Sequence, residues 1–466
     1  MEQEESLAAS EMEQIINSKD PVLFRRLCAS AHPAGVAEAL LAVDNPEIMW
    51  DLLQHVPVEP RAEIFSHLPE DTQLEIVEAL PRLAIAGLMT EMSPDDRADL
   101  YKQLPESVQE AVLPSMAQAE REDIRRLASY KEGTVGAVMT SDYATLEPVF
   151  TAKEAIEHLR LAAPDRETIY YAYVVDKARK LVGFVALKNL IIAQASDRVQ
   201  DLMQREFIYA RVDEDQEAAA RRLQKYDLIA MPVVDQSGTL VGIITHDDAF
   251  DVLVQEQQED LEKLFAIGGS HEAGIYLRKS PWEHFRSRVW WVIGLAGLGL
   301  IAGQVVQNAE EFLTAIPILI IFMPMLAATG GNTGSQSTTL VIRALAVHEI
   351  RPADILRVLW KELRVGLMLS AILAVTAFSR VMIQASGRAE MVEGPSLGLV
   401  GATIAVALAL QVISSTLLGA ILPMIAARLK VDPAVVASPS LTTLVDITGL
   451  MIYFSVAAAM LGGYVG

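Results

Sequence analysis

One carboxylate and one run of amides and hydroxyls stand where an apolar chain should have neither. Asp446, in SLTTLVDITGLMIYF, lies ten residues into the apolar stretch 436–463, about 15 Å deep at 1.5 Å of helical rise per residue. An ionisable group at that depth is costly and belongs beside water or a partner charge. The second feature lies in a stretch free of charge from Phe312 to Ile342, whose C-terminal half reads GGNTGSQSTT, Gly330 to Thr339. Backbone carbonyls freed by the glycines, with side-chain oxygens of Asn332, Thr333, Ser335 and Gln336, would line a cavity. Irregular backbone is tolerated at membrane depth only in such a place. Neutral oxygens with one carboxylate suit a hard cation that keeps several waters, as Mg2+ does. Packing through small residues in GxxxG fashion accounts for the glycines, not for Asn332 or Gln336.

These residues need a membrane to stand in, and the last third of the chain supplies one. Apolar spans are read at 289–308, 312–340, 363–386, 397–425 and 436–463, each long enough to cross a bilayer as helix. The first two are separated by a short AEE turn. Basic residues gather before the first span (Arg278, Lys279, Arg286, Arg288), between the second and third (Arg343, Arg351, Arg357, Lys361, Arg364) and between the fourth and fifth (Arg428, Lys430). The positive-inside rule then puts the N-terminus in the cytoplasm and the C-terminus outside. Arg380, near the outer end of the third span, can snorkel to the interface. No His or Cys lies in the spans, which disfavours selection of Co2+, Ni2+ or Mn2+ by soft ligands.

The rest of the chain is acidic. Of 38 Lys/Arg and 60 Asp/Glu in 466 residues, residues 281–466 hold 11 and 10, leaving 27 and 50 for residues 1–280. Such a surface argues against nucleic acid and is compatible with binding cations. Cys28 is the only cysteine, so an internal disulfide and a Cys-based zinc site are excluded. The start MEQEESLAAS has no basic and apolar regions of a secretory signal. No Cys/His, Ser/His or P-loop constellation points to an enzyme.

Residues 1–130 read as short amphipathic helices opened by Pro57, Pro69, Pro81, Pro94 and Pro105, a period that predicts an acidic, all-α superhelical domain. Residues 131–252 carry two versions of one pattern, about 131–196 and 197–252. A β-branched run ends in Val-Val-Asp (Asp176, Asp235), a turn and a Leu-Val-Gly strand follow (Gly183, Gly242), and a helix comes next. Two βαββα-like units are expected, and they resemble tandem CBS domains. Residues 253–280 read as a long connecting helix ended by Gly268-Gly269, and residues 281–466 as an all-α five-helix transmembrane domain.

This whole arrangement resembles the MgtE-type magnesium channel/transporter family. The motifs that carry the resemblance are PMLAATGGNTGSQSTTLVIRALA (Pro324–Ala346), KELRVGL (Lys361–Leu367) and VDPAVVASPSLTTLVDITGLMIYF (Val431–Phe454). The resemblance implies a homodimer in the cytoplasmic (inner) membrane, with a pore on the two-fold axis and Mg2+ as the transported ion. Asp446 matches the family's pore aspartate and Asn332 its partner on the second span. Members often have Asn or Gly where this chain has Ser438 before Pro439, so Ser438 joins the pore set. The family also closes when cytosolic Mg2+ binds between helical domain, CBS pair and connecting (plug) helix. Acids at matching places are Glu59, Asp95, Asp96, Asp215, Glu217, Asp227, Asp248, Asp251, Glu256, Glu259 and Asp260. About half are expected to be ligands, since charge runs are usually solvated. Thr245 and Asp248, in GIITHDD, stand at the spacing with which CBS domains bond the ribose of ATP. Two alternatives remain: a transporter of another divalent cation, and a membrane-tethered CBS nucleotide sensor. A mere tether would need neither Asp446 nor the polar second span.

Overall fold

In a computed structural model of the chain the described residues are 12, 14–16, 18–43, 45–163, 167–265, 280–347, 349–386 and 395–464; the side chains at 264, 384–386 and 434–440 are not among them. The chain divides into two compact units, Met1–Glu256 and Gln257–Gly466.

The first unit opens with short helices: α1 Pro21–Ser30, α2 Pro33–Leu40, α3 Pro46–Leu53, α4 Val58–Ser66, α5 Glu70–Glu78, α6 Arg82–Glu91, α7 Pro94–Gln103, α8 Glu106–Val112 and α9 Gln118–Ala128. They stack in two interleaved rows, α2 on α4 on α6 on α8 and α3 on α5 on α7 on α9, so the expected superhelix is present. Phe24, Leu53, Phe65, Ile76, Met89 and Ile124 belong to the one buried core that runs through it. The prolines mark helix starts in two ways. Pro94 is the first helical residue, as expected, but Pro57, Pro69, Pro81 and Pro105 sit one residue earlier, as N-caps with ψ of 154°, 141°, 141° and 141°. The fixed φ of proline serves either position, and the extended ψ turns the chain into the next helix.

The two βαββα units follow. The first has β1 Tyr143–Leu146, α10 Ala152–Ala162, β2 Thr168–Val175, β3 Leu181–Ala186 and α11 Leu187–Ile192. After α12 Val199–Leu202 the second has β4 Ala210–Arg211, α13 Gln216–Lys225, β5 Ala230–Val234, β6 Leu240–Thr245 and α14 His246–Leu264. In each sheet the first strand pairs parallel with the second and the second antiparallel with the third. The Leu-Val-Gly glycines have a packing reason. A Cβ on Gly183 would stand 2.7 Å from the Gln204 carbonyl, and one on Gly242 2.8 Å from that of Thr140, where a neighbouring segment crosses the strand.

After residue 130 only Lys131–Gly133 is exposed, while Val135 and Gly136 donate to the carbonyls of Glu214 and Val212. α14 runs unbroken from the last CBS strand to Leu264, across the expected boundary at 252/253. Gly268-Gly269, the expected end of the connecting helix, lies outside the described residues.

The second unit contains α15 Pro281–Asn308, the short α16 Glu310–Ala315, α17 Ile318–Ala346, α18 Ile355–Ser386, α19 Leu397–Arg428 and α20 Pro433–Leu461. Five of its helices are long and apolar enough to span a bilayer, as expected. The second span starts at 318 rather than 312, because α16 and Pro317 take up the residues between. α19 is central and packs against α17, α18 and α20.

Candidate functional site

The GGNTGSQSTT segment is continuous helix within α17, so the expected irregular backbone with freed carbonyls is absent. Instead the segment has two faces. Gly330, Gly331, Thr333, Gly334, Ser337 and Thr338 are buried, whereas Asn332, Gln336 and Thr339 are exposed and Ser335 half-exposed. A helix repeats every 3.6 residues, so 332, 336 and 339 share one side. The glycines therefore serve packing after all. A Cβ on Gly334 would meet Ser415 Oγ at 2.6 Å, and one on Gly419 would strike the Gly334 carbonyl itself.

Hydrogen bonds finish this seam between α17 and α19. Gln411 Nε2 donates to the Leu326 carbonyl (3.0 Å), Ser415 Oγ to that of Gly330, Ser337 Oγ to that of Thr416 (2.9 Å) and Thr338 Oγ1 to that of Gly419 (2.7 Å). Thr333 bonds the Thr329 and Gly330 carbonyls of its own helix and leaves the expected oxygen wall. Asn332, Ser335 and Gln336 remain available to such a wall.

α20 lies along the same helix. Leu441 and Val445 are buried, Gly449 faces the Gln411 amide, and Thr442 Cγ2 stands 3.5 Å from the position of a Cβ on Gly331. Asp446, half-buried, is one helical turn beyond Thr442, as Asn332 is one residue beyond Gly331. The polar face of α17 and the carboxylate thus flank one helix contact. The side chain of Ser438 lies outside the described residues. Arg380 is exposed, as snorkelling requires. One group escaped the sequence reading: Glu362 on α18, at the edge of the expected third span, is buried and accepts a hydrogen bond from Ser337 (2.8 Å).

In the first unit, acids from both halves converge where α7 meets the start of α14. Asp95 is held well above the usual carboxylate range, first by burial and then by the charges of Asp248, Asp96 and Glu167. Its Oδ1 is buried with no hydrogen-bond partner. Asp248 is pushed up to about 7, again chiefly by burial, against a hydrogen bond from Thr245 and with help from Asp247, Glu167 and Asp96. Asp251 is raised by burial and by Asp247 and Asp96, with His67 opposing. Glu167, raised by burial and the charges of Asp247, Asp96 and Asp142, was not singled out from sequence; nothing in PDRETIY marks it. An orphaned buried carboxylate oxygen among repelling acids fits a divalent cation. Among the described residues, however, no three such groups stand at metal-ligating geometry.

The other expected regulatory acids are scattered. Glu59 is exposed in the first turn of α4. Asp215 caps α13 by accepting from the Ala218 N–H (2.9 Å), and Glu217 accepts from Arg221 Nε (2.8 Å). Asp227 is exposed in the turn after α13, at φ 49°. Glu256 accepts from Gln216 (2.9 Å). In the second unit Glu259 pairs with Lys263 at 2.7 Å, which also reaches Asp432 at 3.5 Å, and Asp260 is half-buried. Thr245 and Asp248, the expected ribose pair, are bonded to each other.

With this geometry in hand, comparison with known proteins is direct. Residues 31–133 match the MgtE intracellular N domain, 135–196 and 199–255 the CBS domain, and 323–456 a divalent cation transporter domain designated MgtE. The magnesium transporter MgtE of Thermus thermophilus is 37% identical over 98% of this chain and 99% of its own length. That of Bacillus subtilis is 34% identical over 88% of both. A crystal structure of the soluble part of a magnesium transporter covers 53% of this chain and 97% of itself, at 27% identity and a TM-score of 0.50.

Proposed function

The chain belongs to the MgtE family of divalent cation transporters, and from that footing we propose that it carries Mg2+ across the cytoplasmic membrane along the open face of α17 and α20. One observation carries the reading. α17 buries its glycines and small hydroxyls against α19 and leaves Asn332 and Gln336 outward, on the side flanked by Asp446. Amide oxygens and a half-buried carboxylate can hold a hydrated dication through its waters. A second copy of the chain, facing the first across a two-fold axis, would close the path and double the carboxylates. Ser438 belongs to the same proposed wall, and the basic loops put the N-terminus in the cytoplasm.

The acidic cluster is the proposed cytosolic sensor. Asp95, Asp96, Asp248 and Asp251, with Glu167, would hold Mg2+ and so draw α7 and α14 together. Glu59, Asp215, Glu217, Asp227, Glu256, Glu259 and Asp260 complete the proposed set, although several already have protein partners. ATP is proposed at the CBS pair through Thr245 and Asp248, whose mutual hydrogen bond a ribose would replace.

Ion flux into liposomes holding the purified full chain tests the transport reading, with Mg2+, Co2+, Ni2+ and Mn2+ compared. Mg2+ flux that disappears in Asp446→Asn, with insertion and dimerisation intact, is the expected result. Wild-type flux in that variant would remove Asp446 from the path.

A further inference from the structure

We propose that Glu362 is a positioning residue that sets the rotational phase of α17, and so aims Asn332 and Gln336 at the ion. The inference rests on the reading of that face as the Mg2+ path. α17 and α18 are separated by α19, which packs against both. The carboxylate of Glu362 reaches across from α18, and Ser337 Oγ stands 2.8 Å from its Oε2 and 2.9 Å from the Thr416 carbonyl of α19. One hydroxyl thus ties three helices together. Glu362 is 8% exposed, and no Lys or Arg among the described residues pairs with it. An ionisable side chain is an expensive way to fill an interior, and in a membrane domain it marks a function.

What this contact can supply is register. The other seam bonds join a side chain to a backbone carbonyl: Gln411 to Leu326, Ser415 to Gly330 and Thr338 to Gly419. A helix offers a carbonyl at every residue, so a slipped helix can find new acceptors of that kind. The bond from Ser337 to Glu362 is side chain to side chain and has no such substitute. Successive residues on a helix point about 100° apart. Turning α17 by one residue, so that Gln336 takes the place of Ser337, would carry Gln336 into the glycine seam and move Ser337 to the place of Thr338, away from Glu362. Asn332, four residues before Gln336, would turn with it.

The test uses the full chain with Cys28→Ser in liposomes, comparing wild type, Asp446→Asn, Glu362→Gln, Glu362→Ala and Ser337→Ala. Three quantities are read: half-saturating Mg2+, block by cobalt(III) hexammine as a non-exchanging mimic of a hydrated cation, and the labelling rate of Gln336→Cys by a charged thiol reagent. Glu362→Gln keeps a hydrogen-bonding group of the same shape and is expected within about twofold of wild type. Glu362→Ala and Ser337→Ala should each raise half-saturating Mg2+ about tenfold, the effect of ~1.4 kcal/mol. Both should also weaken block and slow labelling at 336, with maximal flux changing less. If both alanine variants match wild type in half-saturation and labelling, Glu362 is packing only. If Glu362→Gln is as impaired as Glu362→Ala, its charge matters and not its position; either result overturns the proposal. Should Glu362→Ala fail to insert, Ser337→Ala carries the test. Absent Mg2+ flux in wild type, or wild-type flux in Asp446→Asn, would overturn the path reading instead, while the labelling rates still report whether Glu362 sets the phase.

Discussion

Asp248→Asn removes one charge from the cluster where α7 meets the start of α14. The Asp248 carboxyl sits at about 7 instead of 3.8, because burial disfavours its charge and Asp247, Glu167 and Asp96 repel it. At 1.36 kcal/mol per pH unit, ionising it in place costs about 4 kcal/mol. Asp95 shares that repulsion, so roughly half, ~2 kcal/mol, is assigned to Asp248 alone. The sign follows from linkage. A carboxyl raised by packing is more readily protonated packed than apart. The packed arrangement is therefore fully favoured below pH 3.8, loses that advantage as pH climbs to about 7, and has none above. Asparagine stays neutral throughout, so at pH 8 and without Mg2+ the variant should hold the two helices packed roughly 30-fold more often. Limited proteolysis of the full chain at Val135, which is buried in one core with Ala98 of α7 and Ala249 of α14, reads this, since cleavage there tracks the open population. At constant ionic strength, wild type should be cut faster at pH 8 than at pH 6. The variant should be cut slowly at both, and millimolar Mg2+ should protect wild type where KCl does not. His67, beside Asp251, is common to both proteins. Equal cleavage rates and equal pH dependence in the two would refute the assignment of that repulsion to Asp248.

Gly419→Ala should destabilise the membrane unit by about 1–3 kcal/mol, since its Cβ strikes the Gly334 carbonyl; Gly398→Ala, where a Cβ meets nothing within 4 Å, is the control, and thermal unfolding in detergent compares them. Asn332→Ala should lower discrimination between Mg2+ and Ca2+ more than it lowers stability, as read by competitive flux in liposomes. Deleting residues 1–130 takes Asp95 and Asp96 from the cluster, so the remaining channel should need more cytosolic Mg2+ to close; closure at the wild-type level would place the sensor elsewhere. Thr245→Val removes the hydroxyl that bonds Asp248, and calorimetry without Mg2+ should show ATP affinity lower by about tenfold if that pair holds the ribose.

Period and composition made the architecture readable. Prolines near every twelfth residue announced the stacked helices, and the doubled Val-Val-Asp and Leu-Val-Gly pattern announced the two sheets. Long apolar runs announced the spans, because each of these signals is local. In the polar stretch of α17, Asn332 and Gln336 are exposed, but the backbone expected to be irregular is continuous helix. Glycine weakens a helix in isolation, yet here the gain from close contact with α19 outweighs that loss, and only the neighbour's position reveals it. Glu167 and Glu362 were missed for a related reason. Each matters through a partner far away in sequence, Asp95 in one case and Ser337 in the other, and although Glu362 stands in KELRVGL, nothing in that segment shows its partner. The unbroken α14 was split in the reading because no residue between His246 and Leu264 distinguishes a domain's last helix from a connector's first turn.

That unbroken helix works as an index. Asp248 and Glu256 are eight residues apart within α14, about 800° of rotation at 100° per residue, which leaves them about 80° apart in azimuth. The axial separation is about 12 Å at 1.5 Å per residue. The angular relation between these two acids is therefore written in a residue count, not in any one side chain. Substitutions along the shaft leave that relation untouched, whereas inserting or deleting a single residue turns one end against the other by about 100°. In α14 the spacing should be less free to change than the residues that fill it.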